Sequence, residues 1–125
     1  MENKKNWYKI AKNFEERNFL NHKIDSLTSI QNIIRKASKT IIQNASMSKK
    51  IINTILGEKI LSSFPIIKKI LSEAESVALD SPLKFQVFCQ EAIDNIENIL
   101  SDLKEKRDKE TFGDEEKEKT KKGWI

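Results

Sequence analysis

The chain of 125 residues is poor in everything that bends or staples a backbone, with three Gly, two Pro and one Cys. So few Gly and Pro cannot supply the many tight turns of a β-sandwich or barrel. A lone cysteine excludes an intrachain disulfide and points to a reducing compartment, by default the cytoplasm. One histidine and one cysteine, with no second of either, are too few for a Cys/His zinc site. No P-loop or H-E-x-x-H pattern occurs, and no cofactor is expected. Uncharged runs are short: Ile60 to Ile67 spans eight residues, whereas a bilayer crossing needs roughly 20. No apolar run of signal-peptide length follows the first residues.

What remains is apolar enough to fold, at 38% hydrophobic residues, and heavily charged, at 34%. That balance suits one domain of a few long helices. The spacing predicts an all-α protein, a four- to five-helix bundle over residues 1–108, with a highly charged extension over 109–125. Trp7, Ile10, Ala11 and Phe14 line one face of a first helix, and Asn18 and Asn21 predict a bend near residues 18–22. Leu27, Ile30, Ile34, Ala37 and Ile41 step by three and four, a stripe that keeps one face buried. Asn44 and Ser48 then stand where the stripe asks for apolar residues. The spacing predicts a break around Gln43 to Ser48, with Ser46 or Ser48 as cap, and Gly57 as a left-handed helix end.

Ser63-Phe64-Pro65 and Asp80-Ser81-Pro82 each read as a capping residue followed by Pro in a first helical turn. Phe85, Cys89, Ala92, Ile96, Ile99 and Leu103 form an a/d pattern, which Phe88, Ile93 and Leu100 widen beyond a two-strand seam. On this pattern Cys89 is core filler and Glu97 lies on the opposite, solvated face. Residues 104–122 are too charged to bury anything and read as a solvated helix extension or a mobile tail.

Charge is unevenly placed. Residues 1–72 hold 14 Lys and Arg against five Asp and Glu, and residues 73–125 hold nine against 14. The basic residues are 20 Lys and only three Arg, so point charges outnumber the bidentate forks that read bases. Within residues 21–72, Arg35, Lys36, Lys39, Lys49, Lys50, Lys68 and Lys69 are candidates for salt-dependent contact with nucleic-acid phosphates. The plainer alternative is a solvated surface in a Lys-rich chain. Lys-flanked Ile pairs between Ile51 and Leu71 would also suit a helix lying on an anionic membrane, but a bundle core needs the same Ile residues.

Arg17-Asn18-Phe19-Leu20-Asn21-His22 spells R-N-x-x-x-H. This resembles the catalytic motif of HEPN-type ribonucleases, all-helical domains of similar length. The resemblance implies that Arg17 and His22, from two protomers, polarise a phosphodiester and move its 2′-hydroxyl proton. The alternative is an exposed His and a solvated Arg on a helix surface. Trp124 and Ile125 close the chain with two large apolar side chains beyond the charged stretch, a pattern suited to anchoring a partner. The expected function is therefore a non-enzymatic helical interaction or assembly protein, binding another protein or itself. Its size and lack of motifs fit a phage or mobile-element accessory protein. Nucleic-acid association and HEPN-like ribonuclease activity are the alternatives.

Overall fold

A computed structural model describes the backbone of residues 2–123 and the side chains of residues 14–109. Four helices account for most of it: α1 (Glu2–Thr40), α2 (Ala45–Leu56), α3 (Pro65–Val77) and α4 (Pro82–Gly123), with a 3₁₀ turn at Lys59–Ser63. No strand occurs among the described residues. The chain divides into two compact units, residues 1–24 with 101–125 and residues 25–100.

The unit of residues 25–100 holds most of the buried side chains among the described residues. Leu27, Ile34 and Ala37 of α1, Ile52 of α2, Leu61 of the 3₁₀ turn, Ile67 and Leu71 of α3 and Phe85 and Ile96 of α4 are all fully buried. The α1 stripe is buried as its spacing predicts. On α4 the buried stripe includes Ile93 and Leu100, while Ile99 is only half-buried. Two of the bonds that join α1 and α4 in this unit run from a side chain to a backbone carbonyl. Gln31 Nε2 donates to the Ile93 carbonyl at 3.1 Å, and Gln86 Nε2 donates to the Ser38 carbonyl at 3.0 Å. Partners that advance along one helix as they retreat along the other mean that the two segments run antiparallel.

The connection between α1 and α2 corrects the expected cap. Asn44, not Ser46 or Ser48, caps α2, its side chain accepting from the Met47 N–H at 3.1 Å. Ser48 is fully buried and donates to the Ala37 carbonyl at 2.8 Å. Both polar residues that interrupt the apolar stripe therefore do structural work at the corner. Gly57 is not left-handed, having φ −79° and ψ −8°. The chain leaves α2 through tight turns, Gly57 N–H to the Thr54 carbonyl and Glu58 N–H to the Ile55 carbonyl. Glu58 is then extended, at φ −70° and ψ 130°, before the 3₁₀ turn, and φ stays negative on the way, so no left-handed residue is needed.

Pro65 does open α3, but the residue before it is Phe64, which offers no side-chain cap, so Ser63 does not serve. Pro82 opens α4 as predicted, with Ser81 Oγ accepting from the Lys84 N–H at 3.3 Å.

In the other unit, the expected bend at residues 18–22 is absent, because α1 is one helix from Glu2 to Thr40. Asn costs a helix only about 0.5 kcal/mol relative to good formers. Here Leu20 and Ile24 are buried, and Asn21 Oδ1 accepts from Arg107 Nη1 of α4 at 3.1 Å. The charged stretch beyond residue 104 continues as helix to Gly123.

Ile96→Ala leaves a cavity in a fully buried site and should cost about 2–5 kcal/mol, read as a lower urea midpoint. Glu97 is exposed, yet its Oε2 accepts from Gln31 Nε2 at 2.9 Å. Glu97→Ala should therefore cost about 0.5–1.5 kcal/mol, rather than the near-zero value of an unattached surface residue.

Candidate interaction surfaces

Arg17 and His22 sit on the continuous α1, Arg17 half-buried and His22 exposed. Five residues of helix separate them by about 140° around the axis, so a single chain does not aim them at one point. A shared site would need the second residue to come from another molecule. No group of three or more His, Cys, Asp or Glu side chains that could hold a metal ion occurs among the described residues. No helix there is long and apolar enough to cross a membrane.

The seven candidate basic residues lie on three consecutive helices of the 25–100 unit. Arg35 is drawn into local contacts, its Nη1 donating to Asn32 Oδ1 at 3.2 Å and to Gln31 Oε1 at 3.5 Å. Lys36, Lys39, Lys50, Lys68 and Lys69 are exposed and Lys49 is half-buried. None of these six lysines forms an ion pair among the described residues. Their charge is therefore available to a ligand without first breaking a contact.

Cys89 is fully buried on the α4 stripe, and desolvation pushes its thiol from the ordinary 9.0 up to about 12. It is a packing residue, as its position in the pattern predicts. Trp124 and Ile125 fall outside the described residues.

A feature that the apolar pattern did not reveal stands at one end of the 25–100 unit. The Gln86–Ser38 bond sets the level of α4 against α1. Ile42 lies one turn beyond Ser38, and Leu83 lies one turn before Gln86, so both occupy the same end. They are 75% and 73% exposed. Leu79, in the turn leading into α4, and Val87, one helical turn after Leu83, are also exposed. Leu83 and Val87 are four residues apart and share a face on the side of α4 away from Phe85. The signal was present in the sequence as apolar residues lying off the a/d stripe.

Compared with protein-family models, with curated proteins and with solved structures, the chain matches none of them.

A buried thiol with this raised pKa should resist aromatic disulfide reagents at pH 8 in the native chain and react fully in denaturant. Its linkage to folding has a definite sign. Between pH 9.0 and about 12 the unfolded chain loses the thiol proton while the folded chain keeps it, so stability should fall as pH rises through that window. Cys89→Ala should abolish the reagent signal in denaturant and flatten this part of the alkaline melting profile.

Proposed function

We propose that the chain acts as a helical protein-binding module whose 25–100 unit engages a protein partner through its apolar end. The observation that carries this reading is the exposure of Ile42, Leu79, Leu83 and Val87, carried by chain segments that the Ser38–Gln86 bond sets toward one end of a packed core. Side chains this exposed contribute little to folding, and apolar groups gathered in one place are what an interface requires. The thiol at Cys89, with no second cysteine in the sequence, suits a reducing location such as the cytoplasm.

A second reading, nucleic-acid contact, draws support from charge. Residues 26–72 carry eight Lys and Arg against Glu58 alone, and the six candidate lysines are without ion pairs among the described residues. Phosphate neutralisation would be sequence-independent and would weaken steeply with salt. Ribonuclease activity through Arg17 and His22 ranks below both, because it rests on a six-residue pattern alone and needs the two side chains to come from different molecules.

Leu83→Glu with Val87→Glu should shift the thermal midpoint very little, since both side chains already stand in water. Affinity capture from the source cells should retain one or more proteins with the wild-type chain and lose them with this double variant. The same captured proteins in both lanes would sink the reading. For nucleic acid, duplex DNA bound at about 50 mM salt should be released near 200 mM. Lys68→Glu with Lys69→Glu should weaken that binding at low salt, and its persistence unchanged in this variant would exclude the basic residues as its cause.

A further inference from the structure

We infer that the unit formed by residues 1–24 and 101–125 associates with a second copy of itself, in an antiparallel two-fold arrangement centred on Phe19. An open groove of about 520 Å³ lies on this unit, with Phe19 and Leu20 of α1 and Leu103 of α4 along it. Phe19 is 60% exposed, although Leu20 beside it and Ile24 are buried. The described part of the unit consists of two helical segments, and a pair of helices buries only the stripes that face each other. A third apolar position is therefore left in water, and a second pair of helices is what commonly covers it.

The charges in the groove say which occupant fits. Glu15 and Glu16 lie one turn before Phe19, and Lys23 lies one turn after it. The axial distances are about 5 Å and 6 Å, nearly equal on the two sides. Lys23 Nζ leans over the Phe19 ring, 4.7 Å from its centroid. Lys106 of α4 lines the same groove. The Arg107–Asn21 bond places it at the basic end. None of these four charged groups forms an ion pair among the described residues.

The groove thus reads acidic, aromatic, basic along α1, with no net charge of its own. A polyanion would meet its two glutamates, and a strongly basic partner its two lysines. A second copy meets neither obstacle. Rotation by a half-turn about an axis through Phe19 lays the Glu15/Glu16 end of each copy on the Lys23/Lys106 end of the other and brings the two Phe19 rings together. This is the self-complementarity that an isologous interface requires. The surface is separate from the Leu83 end, and either can hold without the other.

Sedimentation of the full chain at tens of micromolar and about 0.1 M salt, where exposed charges are only partly screened, tests this directly. The wild type should run at twice the mass of one chain. Phe19→Glu should weaken association at least tenfold, with a thermal midpoint equal to that of the wild type once both are diluted to single chains. Glu15→Lys with Glu16→Lys makes every groove charge positive, and Lys23→Glu with Lys106→Glu makes every one negative. Each of these variants alone should run as a single chain, and an equal mixture of the two should recover the double mass. A groove filled by a segment of its own chain could not produce that recovery. A wild type that runs as a single chain overturns the inference while leaving the Leu83 surface to its own test. Association that ignores Phe19→Glu, or a mixture that fails to recover, overturns it as well.

Discussion

The register of the 25–100 unit hangs on one buried amide. Gln31 is 3% exposed and donates from Nε2 to both the Ile93 carbonyl and Glu97, while its Oε1 accepts from Arg35. A buried amide without partners costs about 1–3 kcal/mol, more than the bond contributes when made. Sliding α4 against α1 by even one turn would strand this group between apolar side chains. The apolar stripes alone tolerate such a slip, because Ile and Leu recur every three or four residues on both helices. Gln31 therefore supplies specificity that hydrophobic burial lacks. Gln86 repeats the device two helical turns away, and Ser48 does so at the corner between α1 and α2.

These same polar residues mark where sequence reasoning succeeds and where it stops. Periodicity identified the faces of α1 and α4, because one apolar side chain per turn leaves little choice about which side is buried. It predicts the break between α1 and α2 but names the wrong cap, because Asn44 and Ser48 look alike as interruptions. One caps a helix from outside and the other is satisfied by a carbonyl 11 residues back. Nothing local distinguishes them. The bend expected at Asn18 and Asn21 failed for a related reason: Arg107, 86 residues away, holds Asn21 in a helix that weak local preference would not break. Gly57 has the freedom to end a helix left-handed, but a right-handed exit does not use that freedom.

The candidate surfaces were legible to a lesser degree. Exposed lysines are visible in any sequence, but whether acidic neighbours neutralise them depends on packing. Here the described lysines of α1, α2 and α3 are left unpaired. The exposed apolar residues were harder still. Ile42, Leu79, Leu83 and Val87 are scattered over 46 positions, and the segments that carry Ile42 and Leu83 reach the same end only because two helices are locked antiparallel. A surface of this kind belongs to the register, not to any segment.

The two units place apolar exposure differently, and the difference bears on what each can bind. At the Leu83 end the exposed side chains are aliphatic and come from turns and from the face of α4 turned away from Phe85. At Phe19 the exposed side chain is aromatic and lies mid-helix, flanked at equal axial distance by charges of opposite sign. An aliphatic end accepts any apolar face of suitable shape, so its selectivity must come from the partner. An ordered sequence of charge, ring and opposite charge rejects most partners by leaving a carboxylate or an ammonium group desolvated and unpaired, which costs more than the ring gains. A partner bearing the reverse order escapes that penalty, and a two-fold copy of the same helix presents the reverse order by symmetry. The Phe19 groove therefore supports the sharper inference although it offers fewer exposed apolar residues.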